Sequence, residues 1–146
     1  MAVDVRVETV ISRPVAEVAA YAGDPSHAPE WYSNIDSVDW QTPPPMRVGS
    51  RLAFAARFLG RRIKYVYEIV ELVPGARLVM QTDGKPFPMR TTYEWEAVQE
   101  GSTRMVLRNT GRPTGFAAIG ARPMAAAMRT AMTKDLARIR TILETR

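Results

Sequence analysis

The 146 residues include no cysteine. That excludes disulfides, thiolate zinc sites, iron–sulfur clusters and a cysteine nucleophile together. Only one histidine is present, His27, so a multi-histidine metal centre is excluded too, and no metal or cofactor is expected. A serine hydrolase needs a histidine base, and His27 runs into Ala-Pro-Glu-Trp31 with no nucleophile elbow nearby; it reads as a helix-terminus or surface residue. No glycine-rich loop has a phosphate-cradling spacing. Every apolar run is far shorter than the ~18 residues that suggest a membrane span. The first residues, Met-Ala-Val-Asp-Val-Arg6, carry a carboxylate where a signal peptide needs an apolar run, so the expected compartment is the cytoplasm.

Acidic groups are in deficit, fifteen against twenty basic ones, for a net charge of +5. The deficit lies in residues 112–146, whose only carboxylates are Asp135 and Glu144. A basic helix can meet nucleic acid or an anionic membrane, or simply be a solvated face. No zinc-finger spacing, RNA-binding aromatic motif or basic zipper accompanies it, so nucleic acid is not an expected partner. With 46% apolar and 24% charged residues the composition is that of an ordinary globular chain, and 1–146 is expected to form a single domain.

Alternation over Val3–Ile11 predicts a half-buried strand. Ser12-Arg13-Pro14 predicts a helix start with Ser12 as cap, and Gly23-Asp24-Pro25 its end. A short helical turn is expected over 26–32. Strands are expected at 35–41, 49–59, 62–72, 77–83, 88–98 and 102–110, separated by turn residues such as Thr42-Pro-Pro-Pro45, Pro74-Gly75 and Asp83-Gly84-Lys85-Pro86. Connections so short force antiparallel neighbours. After a glycine-containing turn at 114–121, a long helix is expected from about Pro123 to Glu144. At 100° per residue Met124, Met128, Met132, Leu136, Ile139, Ile142 and Leu143 fall on one arc. Asp135 lies near the edge of that arc, where an i,i+3 pairing with Arg138 is expected.

This order of elements resembles the helix-grip fold of the START-like (SRPBCC) superfamily, in particular its polyketide cyclase/dehydrase and lipid-transport group. The resemblance covers essentially the whole chain and rests on Ile11-Ser-Arg-Pro-Val-Ala-Glu-Val18, Pro29-Glu-Trp31, Glu71-Leu-Val-Pro-Gly-Ala-Arg-Leu78, Gly101-Ser-Thr103 and Leu136…Leu143-Glu144. It implies an α+β fold, a seven-stranded curved antiparallel sheet around a long C-terminal helix, with two short helices after the first strand. It also implies an apolar cavity between sheet and helix, filled by a hydrophobic or amphipathic small molecule.

Strand alternation places Leu52, Phe54, Ala56 and Phe58 on one face, and likewise Ile63, Tyr65, Tyr67 and Ile69. Met80, Met89, Thr91, Tyr93, Trp95, Met105 and Asn109 are expected inward, against outward Arg90, Arg104 and Arg108. Methionine suits surfaces that accept varied apolar partners, and a buried phenol seeks a hydrogen-bond partner. The candidate ligand-binding residues are therefore Trp31, Phe54, Tyr65, Tyr67, Met80, Tyr93, Met105, Asn109, Met124, Met128 and Met132. The connections at 59–62, 83–88 and 110–116 fall at one end of a meander. They suggest an entrance rim of Arg61, Arg62, Lys85, Phe87, Arg112 and Phe116, suited to an anionic headgroup or to transient contact with an anionic membrane.

Three functions fit this reading. One is a carrier for a lipid, isoprenoid, quinone or polyketide-like molecule. Another is a cyclase or dehydratase using the same cavity, with Tyr65, Tyr67, Tyr93 and Asn109 as oxyanion donors; patterning supplies no secure inward carboxylate for it. The third is a protein-interaction module with its cavity closed by its own side chains.

Overall fold

The alternating segment Val3–Ile11 is strand β1 in the computed structural model, which describes residues 2–146. Helix α1 (Val15–Ala22), a 3-10 turn (Pro25–His27) and helix α2 (Ala28–Trp31) follow. The chain then meanders through β2 (Ile35–Trp40), β3 (Arg51–Phe58), β4 (Arg61–Val73), β5 (Arg77–Gln81), β6 (Met89–Gln99) and β7 (Ser102–Gly111). Helix α3 (Ala121–Glu144) ends it.

The seven strands form one antiparallel sheet in the order β1-β7-β6-β5-β4-β3-β2. The two short helices carry the chain from β1 to the far edge, and the meander returns it until β7 pairs with β1, Val3 opposite Gly111 and Ile11 opposite Thr103. Register breaks at Ile35/Ser37, Ile69/Glu71 and Ala97/Gln99 bend the strands they interrupt, as a sheet that wraps a helix requires. The expected architecture, with the long strands placed within two residues of their observed bounds, is the one found.

Helix α3 buries Met124, Met132, Leu136, Ile139 and Leu143, one stripe at helical spacing. Its C-terminal half joins the main core with Val5, Ile11, Val18, Trp31, Leu52, Ile69, Leu78 and Leu107. Met124, near its N-terminus, joins a second cluster with Val3, Phe87 and Phe116. Ser12 does not cap α1. Pro14 holds the N-cap position without a side-chain bond, and the Ser12 N–H donates to Glu144 Oε2 at 2.8 Å. Arg13 donates to the main-chain carbonyls of Glu144 and Arg146 at 2.9 and 3.0 Å. The Ser12-Arg13 corner thus anchors the end of α3, because the open carboxyl end of a helix attracts donors.

On the convex side of the sheet, cations and carboxylates pair. Arg108 meets Asp4 at 2.6 Å, Arg77 meets Glu71 and Glu94 at 3.0 and 2.7 Å, and Arg104 meets Glu96 at 2.9 Å. Such exposed pairs add little stability, typically under about 1 kcal/mol each. Arg90, also expected on the outward face, makes no salt bridge among the described residues and reaches Gln81 at 3.4 Å.

The seat of α3 carries the fold. Ile139→Ala, a truncation of a fully buried side chain, is expected to destabilise by about 2–5 kcal/mol in urea unfolding. Val10→Ala, at a site 43% exposed, should cost less than about 0.5 kcal/mol.

Candidate functional site

Between the two clusters that hold α3 lies a cavity of about 140 Å³. An apolar cavity of about 150 Å³ holds one benzene ring, so in this conformation the space admits a single small ring. Nine of the eleven expected residues line it: Phe54, Tyr65, Tyr67, Met80, Tyr93, Asn109, Met124, Met128 and Met132. Trp31 and Met105 do not. Both are fully buried in the main core. Trp31 stands behind the wall, its ring 4.2 Å from that of Tyr32 and 5.8 Å from that of Tyr93. An inward-facing position on a sheet this deep reaches solid core as readily as a void.

Polar groups from several elements line the cavity. The Tyr32 and Tyr93 hydroxyls lie 2.6 Å apart. One proton serves their mutual bond, and the accepting phenol's own proton remains for a ligand. Thr91 Oγ1 donates to Asn109 Oδ1 at 2.7 Å, so the Tyr67 hydroxyl, also 2.7 Å from Thr91 Oγ1, donates to it. That chain fixes the Asn109 amide and leaves its N–H groups without a partner among the described residues. Tyr65 stacks on Phe54 at 5.3 Å, and its hydroxyl is likewise unpartnered among the described residues. Burial raises the pKa of the phenols, that of Tyr67 to about 12 and those of Tyr32 and Tyr65 well above the usual value. All remain protonated donors at neutral pH.

A carboxylate faces the same space. Asp135 lines the cavity and is 2% exposed, which corrects the expectation that it pairs with Arg138. The Arg138 guanidinium donates instead to the Glu30 carbonyl at 2.6 Å. Asp135 Oδ1 accepts the Ser33 N–H at 3.0 Å, supplying an acceptor to the backbone just beyond α2. Burial raises the carboxyl's pKa, with the Ser33 bond opposing. Its charge in turn raises the phenols of Tyr32 and Tyr93. The signal available in the sequence was a lone carboxylate at the margin of an apolar arc. Tyr32, also missed, sat unplaced in the run that ends α2.

The six expected rim residues divide between a packed cluster and the surface. Phe87 and Phe116 are 7% and 5% exposed and pack with Val3 and Met124, so they are a plug rather than a rim. Phe116 meets Phe58 and Phe87 edge-on at 6.0 and 6.3 Å. Arg61 lies 4.8 Å over the Phe116 ring and donates to the Gly115 carbonyl at 2.7 Å. Arg62, Lys85 and Arg112 remain exposed outside. His27 lies away from the cavity, its Nδ1 3.0 Å from the Tyr21 carbonyl and its ring stacked on Tyr21. A broader groove of about 590 Å³ runs outside the sheet between α1, the Pro44-Pro45 loop and Pro74-Gly75. Asp24 is its sole titratable lining group among the described residues, so chemistry concentrates in the inner cavity.

Residues 2–144 match the family model described as polyketide cyclase / dehydrase and lipid transport. No curated protein matches the chain significantly. Among solved structures, the Zhui aromatase/cyclase of a Streptomyces species is similar at a TM-score of 0.77 and 13% identity, over 99% of this chain and 94% of that one. A Deinococcus radiodurans protein gives 0.73 and 19%, over 97% and 98%. Major latex-like protein 151 of Panax ginseng gives 0.73 and 12%, over 97% of each. At such identities the likeness is one of fold.

The Asp135 environment has a measurable consequence. Its folded pKa exceeds its unfolded one, so ionisation favours unfolding, and stability falls as pH rises from the unfolded value (about 3.9) through the folded one. Asp135→Asn lacks that penalty while keeping an acceptor for Ser33. In urea titrations the variant is expected to be the more stable at neutral pH, with the gap closing as pH falls to about 3.9.

Proposed function

From the premise that the chain belongs to the polyketide cyclase / dehydrase and lipid transport family, we propose that its cavity binds a small, largely apolar cyclic molecule carrying a carbonyl or hydroxyl oxygen. The observation that carries this is a void walled by Phe54, Met80, Met124, Met128 and Met132 that the polar groups of Tyr32, Tyr65, Tyr93, Asn109 and Asp135 also line. An uncharged oxygen suits protonated phenols and an amide N–H, while an anionic group inside would meet the Asp135 carboxyl at low dielectric. Methionine walls adapt to varied outlines, so ligands longer than one ring are accommodated by rotamer change rather than by rebuilding the sheet.

A second reading, cyclase or dehydratase chemistry, is favoured by one observation, the buried Asp135 beside two phenols. In it a phenol O–H polarises a ligand carbonyl, and the Asp135 carboxylate takes a proton from the adjacent carbon. The carboxylic acid so formed returns that proton to a departing β-hydroxyl, and water leaves. Similarity to an aromatase/cyclase structure supports this reading at the level of fold.

Binding is tested by calorimetry with phenol and 2-naphthol. Ala131→Phe places a ring into the cavity from α3, whose Ala131 lines it. It is expected to raise Kd at least about tenfold while the protein remains folded by circular dichroism, and Tyr93→Phe, losing one hydrogen bond, should raise it about fivefold. Affinities unchanged in both variants would remove the cavity as the binding site. The second reading requires water elimination from a cyclic β-hydroxyketone that stops in Asp135→Asn while binding persists.

A further inference from the structure

The plugged end of the cavity carries a charge pattern that neither the cavity nor the sheet accounts for. Six cations, Arg61, Arg62 and Lys64 at the start of β4, Lys85 and Arg112 in loops and Arg122 at the start of α3, are exposed on or beside the three connections that meet there. Asp83, which accepts the Lys85 N–H at 3.1 Å, is the single carboxylate in residues 58–64, 82–88 and 111–122. None of the six makes a salt bridge among the described residues. Arg77, Arg104 and Arg108 on the convex face are all paired. The three connections form one surface: Arg61 holds Gly115, the Arg112 N–H donates to the Pro88 carbonyl at 3.0 Å, and Arg62, Lys64, Pro86 and Thr114 border one shallow groove.

Two large aliphatic side chains stand among these cations. Leu59, at the tip of the β3–β4 hairpin, is 46% exposed, and Ile119, in the turn before α3, is 40% exposed. Leu59 also has φ +49°, the one positive φ outside glycine among the described residues, followed by Gly60 at +79°. A two-residue hairpin turn with both φ values positive favours Asn, Asp or Gly at its first position. A leucine there is strained and gains no burial, so neither turn geometry nor core packing explains it.

We propose that this end is a docking face for an anionic lipid bilayer, in which the cations meet headgroup phosphates while Leu59 and Ile119 enter the interfacial region. Charge complementarity selects an anionic surface, and the aliphatic pair selects a bilayer over a soluble phosphate, which offers nothing to bury them. Electrostatic attraction together with shallow apolar insertion is the combination that holds peripheral proteins reversibly at membranes. The inference is independent of what the cavity binds.

Vesicle co-sedimentation tests it, with phosphatidylcholine alone and with phosphatidylcholine containing phosphatidylglycerol. The protein is expected on the anionic vesicles only, and less so as salt rises. Replacing Arg62, Lys64 and Lys85 with Gln should lower partitioning about fivefold for each charge removed. Arg61 is left in place because it also holds the plug. The double variant Leu59→Asn, Ile119→Ser should lose at least about tenfold in partitioning. Its urea midpoint should not fall, because Asn adopts positive φ readily, so lost binding is not lost folding. Three results overturn the proposal: no preference for anionic vesicles, parental binding by the double variant, or full displacement by glycerol phosphate at the vesicle phosphate concentration.

Discussion

Seating α3 against a concave sheet constrains every other feature of the molecule. The helix is fixed at its C-terminal end by Ser12 and Arg13, along its side by Arg129 on the Arg6 carbonyl at 3.0 Å, and near its start by Met124 in the small aromatic cluster. Leu136, Ile139 and Leu143 fill the space below the sheet at one end. Between the fixed ends the helix presents Met128, Ala131, Met132 and Asp135. Two of these are flexible and one is small, and opposite them the strands present rings. A void persists there because the curvature of the sheet exceeds what those side chains span, while both ends are held too firmly for the gap to collapse.

The void also explains why the polar groups are where they are. A carboxylate inside an apolar wall is unfavourable unless hydrogen-bonded, and the single bond from Ser33 only partly offsets the burial of Asp135. A leucine at 135 would pack that wall without the penalty. The Tyr67–Thr91–Asn109 chain is similar, since it fixes an amide whose donors then find no protein acceptor among the described residues. Polar groups gathered around one small space are the observation that supports the proposed site.

Much of this was legible in the sequence, because the information was periodic. Strand alternation put Phe54, Tyr65, Tyr67, Met80 and Tyr93 on the concave side, and the helical arc put Met124, Met128 and Met132 opposite them. What escaped depended on contacts between distant segments. Asp135 had a plausible partner three residues on, yet its bond is to Ser33, 102 positions away. Ser12 resembled a helix cap and is tied to Glu144, 132 positions away. Phe87 and Phe116 are loop residues, and only the meeting of three loops buries them. Met105 shows the complementary limit, since periodicity gives the face of a residue and not its depth, while Trp31, on α2, had no periodic signal at all.

The small aromatic cluster packs one end of the cavity wall. Its closing contacts are one charged hydrogen bond (about 1.5–3 kcal/mol), one cation–π contact (about 0.5–1 kcal/mol) and the burial of one phenylalanine (about 1.5–3 kcal/mol). Together they hold residues 115–116 against β4 with a few kcal/mol. Arg61 supplies two of these contacts, the hydrogen bond to Gly115 and the cover over Phe116. The strands β3 and β4 that carry Arg61 are fixed in the sheet, whereas Gly115 and Gly120 on the other side both have φ +89° in a segment without strand pairing. The two sides of this contact therefore differ in kind, a hydrogen-bonded strand on one and a glycine-flanked loop on the other.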